Sequence, residues 1–140
     1  MGIGRLTYFH LSLAADACSR GGNHSDALAH IAKAFEVLES SDDVAFSAEL
    51  HRTRAAVLLR ADRSKRYAAE TDLKRALEIA RAQEALSPQL RAARDLAQLW
   101  AAHGERRQAA DLLAPIYAAF TEGSDTLDLQ EAKILLSDLQ

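Results

Sequence analysis

Apolar residues recur at helical spacing along almost the whole chain, and polar or glycine-containing breaks divide them into seven segments. Leu6, Phe9, Leu13 and Ala17 form one stripe, predicting a first helix over about 5–20. Gly21-Gly22-Asn23 ends it, because glycine readily takes the left-handed C-terminal cap. Leu28, Ile31, Ala32, Phe35 and Leu38 predict a second helix over about 25–39. The polar break Ser40-Ser41-Asp42-Asp43 supplies N-caps for a third, about 44–60. After a charged connector, Ala61 to Lys65, the fourth runs over about 66–85 with Leu73, Ala76, Leu77 and Ala80 inward. Ser87-Pro88 predicts the start of the fifth: serine caps free N–H groups, and proline at the first helical position lacks an N–H that would go unpaired. Gly104 ends that helix and the sixth spans about 105–120, where Pro115 predicts a kink near Leu112 or a short break. Glu122-Gly123-Ser124-Asp125 reads as a turn, with Asp125 or Thr126 capping a last helix to about 139.

Short helices joined in pairs by brief turns suggest an internal repeat. Ala15, Gly22, Ala27 and Ala34 lie at spacings of 7, 5 and 7, and Val57, Ser64, Ala69 and Ala76 repeat them. Ala97, Gly104 and Ala109 reproduce the first two spacings, with Ile116 in the fourth place. Ile31, Leu73 and Leu113 share one large position. These are the small-residue positions of a tetratricopeptide repeat, where two antiparallel helices approach closely only if the side chains are short. Ala34, Ala76 and Ile116 are 42 and 40 residues apart, longer than the ordinary period of about 34. The expected fold is all-α: a single domain over 1–140, built as a tetratricopeptide-like α-α superhelix of about three helix pairs (about 5–40, 44–85 and 88–121) plus a C-terminal capping helix at 126–139.

Further segments carry a resemblance: Ala48-Glu49-Leu50-His51-Arg52, Leu73-Lys74-Arg75-Ala76-Leu77-Glu78-Ile79-Ala80, Leu90-Arg91-Ala92-Ala93 with Leu96-Ala97-Gln98-Leu99-Trp100, Leu113-Ala114-Pro115-Ile116-Tyr117, Phe120-Thr121-Glu122-Gly123, and Asp125 to Lys133. Together they resemble the tetratricopeptide-like C-terminal region of large bacterial signalling ATPases, which join a cyclase-type or winged-helix DNA-binding domain to a P-loop ATPase. The resemblance covers residues 48–140 well and 1–47 loosely. It implies a non-catalytic module for protein–protein interaction, the sensory or scaffolding tail of such a protein or a stand-alone relic of one. The alternative it implies is a regulatory fragment of an adenylate/guanylate cyclase-type enzyme whose catalytic and P-loop domains are absent here. No G-x-x-x-x-G-K-S/T loop occurs in the chain, so ATP binding and cyclic-nucleotide synthesis are not carried over.

Composition agrees with the helical reading. The 140 residues include 29 Ala and 21 Leu, against 13 for Val, Ile and Thr combined, and this balance favours helix over strand. An apolar fraction of 49% at a net charge of −3 argues for a folded chain. The single cysteine, Cys18, excludes an internal disulfide and a cysteine-based zinc site, and reads as a core thiol. The longest unbroken apolar run, Leu112 to Phe120, has nine residues, whereas a membrane-spanning helix needs about 20. A soluble, cytoplasmic protein without a membrane partner is expected.

Candidate chemistry is sparse. His10, His24, His30, His51 and His103 are scattered, and none forms the i, i+4 pair that presents two imidazoles to a metal. His24, Asp26 and His30 read as a solvated helix start, Asp42-Asp43 as capping, and Asp125-Thr126-Leu127-Asp128 as a cap rather than a calcium loop. Trp100 and Tyr117 read as core residues, with pocket lining as the alternative. No catalytic residue, cofactor or metal is expected.

Charge is segregated: net −3 over residues 1–48, +5 over 49–107 and −5 over 108–140. If the first helix of each pair lines a concave face, His51, Arg54, Arg91, Arg94 and Gln98 fall on it. Two readings stand: a groove for a protein or acidic peptide segment, gripped by paired guanidinium–carboxylate bonds, or pairing within the chain with Glu49 or Asp95. Nucleic acid is a weak third, since the domain is acidic and no basic stripe alternates with aromatics.

The two ends differ. In the last helix Leu129, Ala132, Leu136 and Leu139 can face the sixth helix while Asp128, Glu131 and Asp138 face water, which caps that end. The first helix carries Leu6, Tyr8, Phe9 and Leu13 with no such cover, and a solenoid end exposes apolar surface unless something packs on it. A two-fold dimer through the first helix pair is therefore expected. Phe9→Asp should shift it toward monomer in sedimentation, and a wild-type chain that is monomeric at about 100 µM excludes the dimer.

Overall fold

The computed structural model describes residues 2–39, 44–120 and 126–139, with side chains described over 10–39, 46–120 and 126–139. Among these residues every regular element is helical: α1 (Gly2–Arg20), α2 (His24–Glu39), α3 (Val44–Ala61), α4 (Arg66–Ala82), α5 (Leu86–Ala102), α6 (Arg106–Ala118) and α7 (Leu127–Leu139), with a 3-10 turn at Arg63–Lys65 before α4. No helix of the described residues is long and apolar enough to cross a membrane.

The connectors explain where the helices stop. α1, α4 and α5 all end in the same double-bonded turn. The N–H of Gly22 bonds the Ser19 carbonyl and that of Asn23 bonds Cys18; Glu84 and Ala85 repeat this on Arg81 and Ala80, and Gly104 and Glu105 on Ala101 and Trp100. Each turn needs one residue at positive φ, and these are Gly22 (89°), Gly104 (83°) and Glu84 (55°). Asn23 then starts α2, its Oδ1 accepting from the Asp26 N–H at 3.3 Å while its amide reaches the Asp26 carboxylate at 2.7 Å. The charged connector is capped too, by Asp62 on the Ser64 N–H at 2.9 Å. Thr126 caps α7 through the Leu129 N–H. Asp42, Asp43 and the 122–125 turn lie outside the described residues.

Two expectations are corrected. Helix α5 starts at Leu86, with Ala85 as its cap, so Ser87 and Pro88 sit inside the first turn. The Glu84 turn delivers the chain already poised to coil, and Pro88 costs nothing there because first-turn N–H groups have no helical partner. Of the kink or short break expected from Pro115, the break does not occur: α6 is continuous over Arg106–Ala118, and it ends two residues short of the expected Phe120.

Successive helices pack on one another, and α1, α3, α5 and α7 also touch in sequence, whereas no even-numbered helix touches another among the described residues. The odd helices therefore form one layer and the even helices ride on it, a helical repeat. The even helices bury one stripe each, at matching positions: Ala27, Ile31, Ala34 and Leu38; Ala69, Leu73, Ala76 and Ala80; Ala109, Leu113 and Ile116. Ala15, Val57 and Ala97, the repeated small positions of the odd helices, are fully buried. The core divides in two at α3, which gives Leu50 and Val57 to a cluster with α1 and α2, and Ala48 and Ala55 to a larger one with α4–α7.

Glu84 is the one described non-glycine residue at positive φ. A side chain in this region costs about 1 kcal/mol or more, partly offset by the extra freedom glycine gives the unfolded chain. Glu84→Gly should therefore raise stability by about 0.5–1 kcal/mol, read from the urea midpoint.

Candidate functional site

On the odd-helix face, ion pairs close into a ring. Arg52 of α3 donates to Glu49 at 2.8 Å and to Asp95 of α5 at 2.8 Å. Arg91 of α5 donates to the other Glu49 oxygen at 2.9 Å and to Asp128 of α7 at 3.0 Å. Arg94 closes the circuit, 3.3 Å from Asp95 and 3.6 Å from Asp128, and also bonds Glu131. Each of Glu49, Asp95 and Asp128 thus bridges two arginines, and each arginine bridges two carboxylates. The guanidiniums are mostly covered, with 16% of the Arg52 side chain and 12% of that of Arg94 exposed. Burial works against the charge on Arg91, but Glu49 and Asp128 outweigh it and hold its pKa above the usual arginine value.

Arg91 and Arg94 are both paired within the chain, as the second of the two readings expects. Asp128 and Glu131, expected to face water, turn to these arginines instead. Three arginines here meet four carboxylates.

Arg54 and His51 do not join the ring. Arg54 lies two residues, roughly 200° of helix rotation, from Arg52 and points to the even-helix side. Its guanidinium grips both oxygens of Asp72 on α4, at 2.7 to 3.1 Å, and lies 4.5 Å over the Phe35 ring of α2. His51 Nδ1 stands 2.9 Å from the same carboxylate, with its ring 4.9 Å from Phe35. Asp72, only 4% exposed, is the physical reason: a carboxylate that deep requires charge partners, and α3 supplies them from the stripe that faces α4. Burial pushes the Asp72 carboxyl up, but the hydrogen bonds of His51 and Arg54 and their charges prevail and hold it below the ordinary value.

Below the ring, a groove of about 960 Å³ lies between α3 and α5. Ala55, Ala56 and Leu59 line one wall and Leu99 and Ala102 the other, with Arg52 and Asp95 at the closed end. Gln98, exposed on α5, stands on its edge. Arg60, bonded to Asp16 of α1 at 3.0 Å, and exposed Arg63 lie at the open end. With Arg20 and Arg60 both bonded to it, Asp16 stays ionised below the usual carboxylate range despite some burial.

The remaining candidates are placed as follows. Trp100 is a core residue, 7% exposed, its indole N–H 3.2 Å from Glu70. Tyr117 packs half-buried on the larger core, and Cys18 is half-buried on the smaller one rather than enclosed by it. Leu13 is 55% exposed on α1, while the side chains of Leu6, Tyr8 and Phe9 lie outside the described residues. No group of three His, Cys, Asp or Glu among the described residues is arranged to hold a metal ion.

No family model and no curated protein matches this chain.

Because the Asp72 carboxyl titrates lower in the folded chain than in the unfolded one, its contribution is full above the ordinary carboxylate pKa and fades as pH falls through the lower folded value. Asp72→Asn should therefore cost about 1–3 kcal/mol at neutral pH, and the gap to wild type should narrow below about pH 4. Urea unfolding from pH 7 to pH 3 reads this directly; a constant gap contradicts the assignment.

Proposed function

We propose that the chain is a non-catalytic protein-interaction module, a tetratricopeptide-like α-α superhelix whose partner docks on the odd-helix face. A tail with sensory or scaffolding duty in a bacterial signalling ATPase or transcriptional regulator, or a relic of one, is the setting that its sequence resemblance suggests. The observation that carries the reading is the groove between α3 and α5. It adjoins the ion-paired ring, and Ala55, Ala56, Leu59, Leu99 and Ala102 make its walls apolar.

The ring narrows where a partner can bind. Its charges are already matched, so a ligand there would have to replace good ion pairs with equivalent ones. The groove makes no such demand, since covering Ala56, Leu59 and Ala102 removes apolar surface from water.

A photo-crosslinking residue at Gln98 on the groove edge, and another at Glu78 on the outward face of α4, tests the reading in extract of the source cell. Both positions are exposed, so the fold tolerates them. A defined partner captured from position 98 and not from 78 is expected. Capture only from 78, or from neither, contradicts it.

A further inference from the structure

We infer that the α3–α5 groove takes a short segment of a partner protein with apolar side chains along its length and an acidic residue at the end nearest the α3–α4 connector. The inference rests on the interaction-module reading and names the chemistry of the segment recognised.

The shape of the groove follows from one stripe of α3. Glu49 and Arg52 come first along that stripe, and their long side chains stitch α3 to Arg91 and Asp95 of α5. One turn further the stripe changes to Ala56 and then Leu59, opposite Leu99 and Ala102. Alanine side chains are too short to fill the gap that the longer side chains span nearer the ring, so the space between the helices stays open. Its depth reaches Leu73 of α4, and no Phe, Tyr or Trp lines it. Apolar side chains fit such a trough.

Charge sets the direction of the segment. Arg52 and Asp95 at the closed end satisfy each other. Arg60 is held by Asp16 and Ser19, and Asp62 is spent on the Ser64 N–H. Arg63 lines the groove, is exposed and has no ion-pair partner among the described residues. Lys65 stands two residues further on and is exposed, whereas Arg66 is already paired with Glu105, so Arg63 is the guanidinium left to meet a ligand at this end. A carboxylate arriving at this end meets a planar guanidinium able to bond it through two N–H groups.

The test is to pan a library of short random peptides on the immobilised full chain and to measure selected peptides by fluorescence anisotropy against three proteins: wild type, Ala102→Glu and Arg63→Glu. Both substituted residues are exposed, and circular dichroism checks that the helices persist. Selected sequences should combine Leu, Ile, Val or Met with a terminal Asp or Glu. Ala102→Glu places a carboxylate on the apolar wall and should weaken binding about tenfold or more. Arg63→Glu should weaken it about threefold to tenfold and restore it for peptides carrying Lys in place of the acid. Selected peptides that bind all three proteins equally overturn the groove assignment while the interaction module stands. Loss with Ala102→Glu but no change with Arg63→Glu overturns the acidic end. A library that yields no selected sequence overturns both the segment and the module.

Discussion

Close approach of helices at alanine is the constraint on which this fold depends. Ala15, Ala27, Ala34, Ala69, Ala76, Ala97 and Ala109 are fully buried where one helix crosses another. A larger side chain at any of them would push two helices apart and carry the displacement into the next pair, because each repeat stacks directly on its neighbours. Alanine gives closeness but little buried area. The apolar stabilisation therefore rests on few large residues, chiefly Ile31, Leu50, Leu73, Leu90, Leu96, Leu113 and Leu129. Each contributes about 1.5–3 kcal/mol when fully buried.

Polar pairings take over where this economy leaves gaps. The two apolar cores meet at α3, and between them sits Asp72, tied to His51 and Arg54 under the Phe35 ring. A carboxylate in that place adds little net stability over an apolar residue of its size, but it accepts only one register of α3 against α4. The ring on the odd-helix face does the same for three helices at once. Its six members alternate in sign, so sliding α5 by one turn would set like charges side by side. Specificity of register, more than net stability, is what these charges supply.

How much of this was legible depended on how many faces a helix buries. The even helices bury one, and the spacing of Ala27, Ile31, Ala34 and Leu38 recurs in α4 and α6 as the periodicity predicts. Helix α3 buries two, Ala48 and Ala55 to one side and Leu50 and Val57 to the other, so its apolar pattern blurs and gives no unique inward direction. The periodicity therefore groups Arg54 with Arg91 and Arg94, whereas in the fold Arg52 is their neighbour. The spacing of Glu49 and Arg52 holds the missing signal, since residues three apart share a helix face and these two are opposite in sign to Arg91 and Asp95 across the gap. The α5 start is hidden for a local reason. A positive-φ turn at Glu84 has no glycine to announce it, and Ser87-Pro88 is an equally good start two residues later. Asp72 left no trace in the pattern at all, because a lone acid on an amphipathic helix reads as solvated until the fold shows what covers it.

The ring and the groove are two halves of one junction, and each explains the other. Apolar side chains alone would hold α3 and α5 together only if both walls carried large ones, and then no space would remain between them. By confining the attachment to Arg52 and Asp95 at one end, the chain keeps the helices in register while leaving Ala55, Ala56 and Ala102 apart at the other. Arg52 is the hinge of this arrangement. Its guanidinium holds Asp95 across the gap and Glu49 on its own helix, so its reach sets the distance at which the groove begins to open. An opening fixed by charged bonds at one end is pre-organised for a ligand, since the walls need not first be pulled apart, and a binding site prepared in this way avoids much of the ordering cost of association.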